Sequence, residues 1–122
     1  RFPNVAIAGV ELSHEAISIA QKLFPKMKWL TQDVKSFLAD QMPTDHLFVI
    51  LDPPRLGCEE SVIKEINRIR PMNVLYVSCN PMTFARDAQR LSSGDLRLKR
   101  VQGFDMFPQT EHVELLAWFS GR

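Results

Sequence analysis

Cys79 stands between a strand-like apolar run and a helix-like run in LYVSCNPMTFARD, residues 75–87. Asn80 is a good helix N-cap, and Pro81 suits the first helical position. The thiol therefore lies just outside a helix N-terminus, where the dipole and free amides favour a thiolate. Read from the residues alone, Cys79 is either a nucleophile or a small core residue, since free cysteine is often buried. Cys58, in RLGCEES, precedes two acids whose charge disfavours a thiolate, and it reads as a structural thiol. Two cysteines are too few for a secreted disulfide framework and point to a cytoplasmic setting. They make no zinc or iron–sulfur site by themselves.

Carboxylates supply the rest of the candidate chemistry. Asp52 in LDPPRLG is followed by two prolines, which hold it on a stiff loop before any ligand arrives. The tetrapeptide is similar to the Asp-Pro-Pro-aromatic signature of methyltransferases acting on exocyclic amines of bases. Arg55 takes the place of the aromatic residue, and a guanidinium suits a phosphate or carboxylate instead of a stacked base. In FDMFPQTEHVELL, residues 104–116, alternation puts His112, Glu114 and Leu116 on one strand face. Apolar neighbours make Glu114 a partly buried carboxyl, either a base or the partner of an arginine. Glu11 in GVELS could accept two hydrogen bonds from a ribose diol, or be a solvated turn residue. Asp33 in TQDVKSF could serve a cofactor or simply N-cap the helix that follows.

The elements that would position these groups alternate. Strands are expected at VAIAGVE (5–11), MKWLTQD (27–33), HLFVIL (46–51) and NVLYVS (73–78). Helices are expected after each, at residues 12–24, 34–42, 58–70 and 80–91, with Ser13 and Asn80 as N-caps. Their core faces read as Ala16, Ile17, Ala20, Leu23 and Phe24; Val62, Ile63, Ile66 and Ile69; and Phe84, Ala85, Ala88 and Leu91. Two consecutive strands, 96–107 and 112–120, close the chain around a turn at 108–111. The order β-α-β-α-β-α-β-α-β-β implies an α/β fold, a sheet with helices on both faces and an antiparallel C-terminal edge pair. In such sheets ligands sit at the carboxyl ends of the strands, which here carry Glu11, Asp33, Asp52 and Cys79.

Bulk composition narrows the class without choosing the function. The 122 residues are 45% hydrophobic and 24% charged, which suits a folded domain with a core. No apolar run approaches the length of a membrane span, so no membrane partner is expected. A formal charge of +1 leaves any RNA-binding surface to local groups such as Arg55, Arg86, Arg90, Lys99 and Arg100, most of which read as a solvated face. No repeat or linker divides the chain, and residues 1–122 read as one partial domain. The chain opens at Arg1 and runs almost at once into a strand, as a sequence beginning within a domain does.

Taken in order, DPPRLG, YVSCNPMTFARD and FDMFPQTEHVE resemble the RNA (uracil-5-)-methyltransferase family, and GVELSHEAISIA is similar to its ribose-binding strand. The resemblance implies a Rossmann-like methyltransferase sheet and methylation of carbon 5 of a uridine in rRNA or tRNA. It implies S-adenosylmethionine as cofactor, Cys79 as nucleophile and Glu114 as the base for the carbon 5 proton. Glu11, Asp33 and Asp52 would line the cofactor pocket, with Asp52 also near a uridine flipped out of the RNA. The family's first strand and glycine-rich loop have no counterpart after Arg1. The sheet is therefore expected to have a gap, to need an N-terminal part of the same enzyme, and to bind cofactor weakly as this chain alone. A competing enzyme reading is an amino-group methyltransferase on adenine or cytosine, which needs no cysteine. A third reading is a non-catalytic RNA-binding segment.

Overall fold

The computed structural model describes residues 5–44, 46–106, 108–110 and 112–121. Phe107, the last residue of the expected strand 96–107, and Glu111, in the expected turn, lie outside them. The element order matches the expected alternation: β1 Ala8–Glu11, α1 His14–Leu23, β2 Lys28–Thr31, α2 Val34–Ala39, β3 Phe48–Leu51, α3 Glu60–Ile69, β4 Asn73–Ser78, α4 Pro81–Leu91, β5 Arg97–Phe104 and β6 Glu114–Ser120. The chain divides into two compact units, residues 1–40 and 41–122.

In the first unit β1 and β2 pair in parallel, from Ala8 opposite Lys28 to Glu11 opposite Thr31. Ser13 caps α1 by accepting from the Ala16 N–H at 3.2 Å. The Trp29 ring lies over Gly9 so closely that any Cβ there would collide with it. Its indole N–H donates to the Phe24 carbonyl at 3.0 Å, which ties the end of α1 to β2. The apolar stripe expected on α1 is only partly used. Ile17 is buried, but Leu23 is 66% exposed and Phe24 56%. The helix ends at Leu23, and the chain turns at Phe24 with a non-helical backbone.

The second unit is built on a four-stranded sheet of order β3-β4-β6-β5. β3 and β4 are parallel, whereas β6 runs antiparallel to both β4 and β5. The antiparallel closing pair is thus present, with β6 inside the sheet and β5 at its edge. Alternation along β4 buries Val74, Tyr76 and Ser78, and along β6 it buries Ala117 and Phe119. α4 packs on this face through Phe84, whose ring centroid lies 5.6 Å from Tyr76 and 6.5 Å from Phe119. α3 contributes Ile63, Ile66 and Ile69, each at most 2% exposed. On the other face Phe48, Ile50 and Trp118 are exposed. Among the described residues β1–β2 and β3–β6 form separate sheets.

One helix face differs from expectation. On α4 Ala85 is exposed, and the position between Phe84 and Leu91 on the apolar stripe belongs to Asp87, which is 0% exposed. A carboxylate there demands donors, and the chain supplies them from three directions.

Candidate active site

Three of the predicted residues gather at one end of the four-stranded sheet. Asp52 follows the last residue of β3, and Cys79 follows the last residue of β4. Glu114 is the first residue of β6. The parallel register pairs Leu51 with Tyr76, so Asp52 leaves its strand level with Val77. The antiparallel register pairs Ser78 with Leu115. Cys79 lies just beyond the last paired residue of β4, and Glu114, the first residue of β6, pairs with Phe104 on β5.

Local bonds fix the cysteine turn. The Ser78 hydroxyl spans Cys79, donating to the Asn80 carbonyl at 3.0 Å and accepting from the Asn80 N–H at 3.1 Å. The Asn80 carboxamide oxygen accepts from the N–H of Met82 at 3.0 Å and of Thr83 at 3.5 Å, which caps α4. Pro81 opens the helix, where its missing N–H costs nothing. Cys79 is half-buried and unpaired in disulfide terms. Glu114 is half-buried too, and among the described residues its carboxylate makes no ion pair, so the arginine partner considered for it is not found there.

The loop after Asp52 is held by the helix that follows Cys79. Gly57 closes a turn by donating to the Pro54 carbonyl at 2.8 Å, with φ at 80°. The Arg55 carbonyl accepts from the Asn80 side-chain amide at 3.3 Å and the Thr83 hydroxyl at 3.1 Å. Arg86 donates to the Leu56 carbonyl at 2.8 Å. The Asp87 carboxylate accepts from the Cys58 N–H at 2.7 Å, the Tyr76 hydroxyl at 2.6 Å and the Arg86 guanidinium at 2.9 Å. Burial pushes the Cys58 thiol up to about 11, and the Asp87 charge nearby adds to it. Burial and the hydrogen bond to Asp87 also push the Tyr76 phenol upward. Cys58 is therefore the structural thiol expected, while Arg86, though exposed, also holds the loop.

Glu11 and Asp33 belong to the first unit, at the carboxyl ends of the neighbouring parallel strands β1 and β2. Glu11 is exposed and accepts from the Ser13 N–H at 3.0 Å through one carboxylate oxygen. Asp33 N-caps α2, accepting from the Ser36 N–H at 2.8 Å and the Ser36 hydroxyl at 2.9 Å. The Ser36 amide, and then its hydroxyl, hold the Asp33 carboxyl below its ordinary range. Sequence reasoning missed Asp87. The available signal was an acid three residues after Phe84 and four before Leu91, on the apolar stripe of a helix.

The chain is similar to known RNA methyltransferases. Residues 3–121 match the model of the tRNA (uracil-5-)-methyltransferase family. The chain is 39% identical over 117 residues to an uncharacterized RNA methyltransferase, YljE, of Lactococcus lactis, covering 96% of this chain and 23% of the relative. It is 37% identical over 119 residues to the 23S rRNA (uracil(747)-C(5))-methyltransferase RlmC of Vibrio cholerae, covering 93% of this chain and 31% of that protein. This chain therefore spans between about a quarter and a third of these relatives. Among solved structures it is similar to the tRNA (uracil-54, C5)-methyltransferase of Pyrococcus abyssi in complex with S-adenosyl-L-homocysteine. The TM-score is 0.78 at 31% identity, covering 95% of this chain and 29% of that one. The N-methyltransferase NodS of Bradyrhizobium japonicum shares the fold alone, with a TM-score of 0.71 at 16% identity over 95% of this chain and 73% of that one. The fold is thus the Rossmann-like methyltransferase sheet expected from the alternation, and the chain belongs to the tRNA (uracil-5-)-methyltransferase family.

Proposed function

We propose that the enzyme carrying this chain methylates carbon 5 of a uridine in rRNA or tRNA, with Cys79 as nucleophile and Glu114 as base. The observation that supports the reading is the β4–β6 register, which ends with Ser78 opposite Leu115, so that Cys79 follows the last paired residue of β4 and Glu114 opens the neighbouring strand at the same end of the sheet. A thiol and a carboxylate so placed can work on one ring from neighbouring strands.

The pairing answers a chemical need. Carbon 5 of uracil is a weak nucleophile until a thiolate adds to carbon 6. The Cys79 sulfur–carbon 6 bond forms as the carbon 5–carbon 6 π pair moves into an enolate, and carbon 5 gains nucleophilic character. S-adenosylmethionine, when bound, supplies the electrophilic methyl group that carbon 5 takes up. Glu114 then removes the carbon 5 proton, that electron pair restores the double bond, and the sulfur–carbon 6 bond breaks to return the thiolate. Asp52, exposed at the end of β3 and stiffened by Pro53 and Pro54, orients the ring by accepting from its imide N–H. The uridine must leave its base stack to reach this sheet end.

The first unit suits the cofactor. Glu11 is exposed at a strand's carboxyl end with one oxygen engaged by Ser13, an arrangement that fits a ribose diol. Asp33 ends the neighbouring strand with its carboxylate held by Ser36. Free thiols at Cys58 and Cys79 suit a reducing, cytoplasmic compartment, and no helix among the described residues is long and apolar enough to cross a membrane.

RNA containing 5-fluorouridine at the target site tests the mechanism in the intact enzyme. Fluorine cannot leave as a proton does, so a covalent adduct is expected to accumulate and to survive a denaturing gel. Cys79→Ala is expected to remove it. With ordinary uridine, Glu114→Gln is expected to slow turnover by roughly 10²–10⁴-fold and to trap the same adduct. Full activity in Cys79→Ala would instead favour amino-group methylation. Normal RNA binding without any methylated product by the wild-type enzyme would favour a non-catalytic RNA-binding role.

A further inference from the structure

Asp87 is a charged side chain with no exposed surface, in a helix that could have placed an apolar residue there. Burying a carboxylate is costly unless its oxygens are well satisfied, and an apolar side chain of similar size is often no less stable. What a carboxylate adds is direction, because its hydrogen bonds fix the angle and distance of each partner. Here the partners come from three segments: Tyr76 on β4, Cys58 at the end of the DPPRLG loop, and Arg86 on α4. Arg86 passes the contact on, donating to the Leu56 carbonyl at 2.8 Å and the Cys58 carbonyl at 3.5 Å. Gly57 lies so close that a Cβ would meet the Asp87 carboxylate and come within 2.6 Å of Arg86. The loop that begins at Asp52 and the helix that begins beyond Cys79 are thus locked through one carboxylate.

We propose that Asp87 is a positioning residue, setting the Asp52–Arg55 loop against the Cys79 turn so that thiol and orienting carboxylate address the same ring. The proposal rests on the reading of Cys79 and Asp52 given above. It assigns Asp87 no contact with substrate. Its effect passes through the Cys58 N–H and the Arg86 guanidinium to the loop, and through Tyr76 to the strand that ends at Cys79.

The test compares wild type, Asp87→Asn and Tyr76→Phe in the intact enzyme. It measures single-turnover adduct formation on 5-fluorouridine RNA, the dissociation constant for ordinary RNA, and the thermal midpoint. Asp87→Asn is expected to slow adduct formation at least tenfold while RNA affinity changes less than threefold. Tyr76→Phe removes one donor and leaves the carboxylate, so a smaller loss of at least threefold is expected. The double variant is expected to be no slower than Asp87→Asn, because both act through one contact. Should Asp87→Asn not fold, Tyr76→Phe carries the test by itself. Wild-type adduct rates in either folded variant would overturn the proposal. So would a loss that vanishes at a temperature where both proteins are fully folded. If wild type forms no adduct, the mechanism itself fails and the proposal falls with it, an outcome distinct from a normal wild type with indifferent variants.

Discussion

Cys58 and Cys79 are the same side chain in two environments, and those environments separate their reactivities. Cys58 is 8% exposed, and burial raises its thiol to about 11, so almost none of it is thiolate near neutrality. Cys79 is half-buried at the strand-to-helix turn, within reach of small reagents. Iodoacetamide at pH 8 is therefore expected to modify Cys79 in the folded protein and Cys58 only after denaturant is added. Peptide mass spectrometry reads the two sites separately, and equal labelling of Cys58 under native conditions would contradict the assignment. The sequence set the two cysteines apart by the Asn-Pro cap after Cys79 and the two acids after Cys58, but what raises the Cys58 thiol is burial and Asp87, not those acids. Asp87 was less legible. An acid among Arg86 and Arg90 looks like part of a charged helix face, and its partners lie 11 and 29 residues away in the chain. Its place on the apolar stripe hinted at burial, but only tertiary structure brings a tyrosine hydroxyl and a loop amide to it.

Between the strands, turn chemistry decides whether these side chains meet. Gly57 has a φ of 80°, which favours glycine, and a Cβ there would press on Asp87, Arg86 and Thr83. Gly57→Ala is expected to destabilise the fold by more than about 1 kcal/mol, since strain and collision add. Asn80→Ala removes the α4 cap and its bond to the Arg55 carbonyl, with an expected cost of about 1 kcal/mol or somewhat more. Urea unfolding of the two variants measures both, and wild-type stability in Gly57→Ala would refute the packing argument. The elements themselves were readable because apolar runs alternate with helical stripes, and β4 spans the residues expected of it. Their ends were less so: β6 begins at Glu114 and not at His112, which is exposed ahead of the strand. Side-chain period marks where a run can be buried, whereas pairing marks where the strand begins. That is also why the apolar stripe of α1 overstated its core, for Leu23 and Phe24 fall where the helix ends.

At the scale of the whole molecule, most of the core belongs to the second unit, where Val74, Tyr76, Ala117 and Phe119 are completely buried between β4, β6 and α4. The separation into a two-stranded and a four-stranded sheet is a matter of pairing, which the alternation of elements in sequence does not reveal. The buried acids at the centre of the larger unit give the fold a characteristic response to base. Cys58 ionises at its ordinary value of 9.0 when unfolded and at about 11 when folded. Tyr76 is shifted the same way from 10.0, by burial first and by its bond to Asp87 second. Between pH 9 and 11 the unfolded chain therefore holds fewer protons than the folded one, and stability falls as pH rises through that window. Below pH 9 both groups are protonated in both states and contribute nothing to the slope. Two pH units on Cys58 correspond to on the order of 2–3 kcal/mol, a large share of the stability of a small domain. Denaturant unfolding at pH 8, 9.5 and 10.5 is expected to show this fall. Cys58→Ala should flatten its lower part, and Tyr76→Phe should flatten the part above pH 10. An unchanged slope in both variants would mean that groups elsewhere set the alkaline limit, and that burial does not hold Cys58 and Tyr76 protonated.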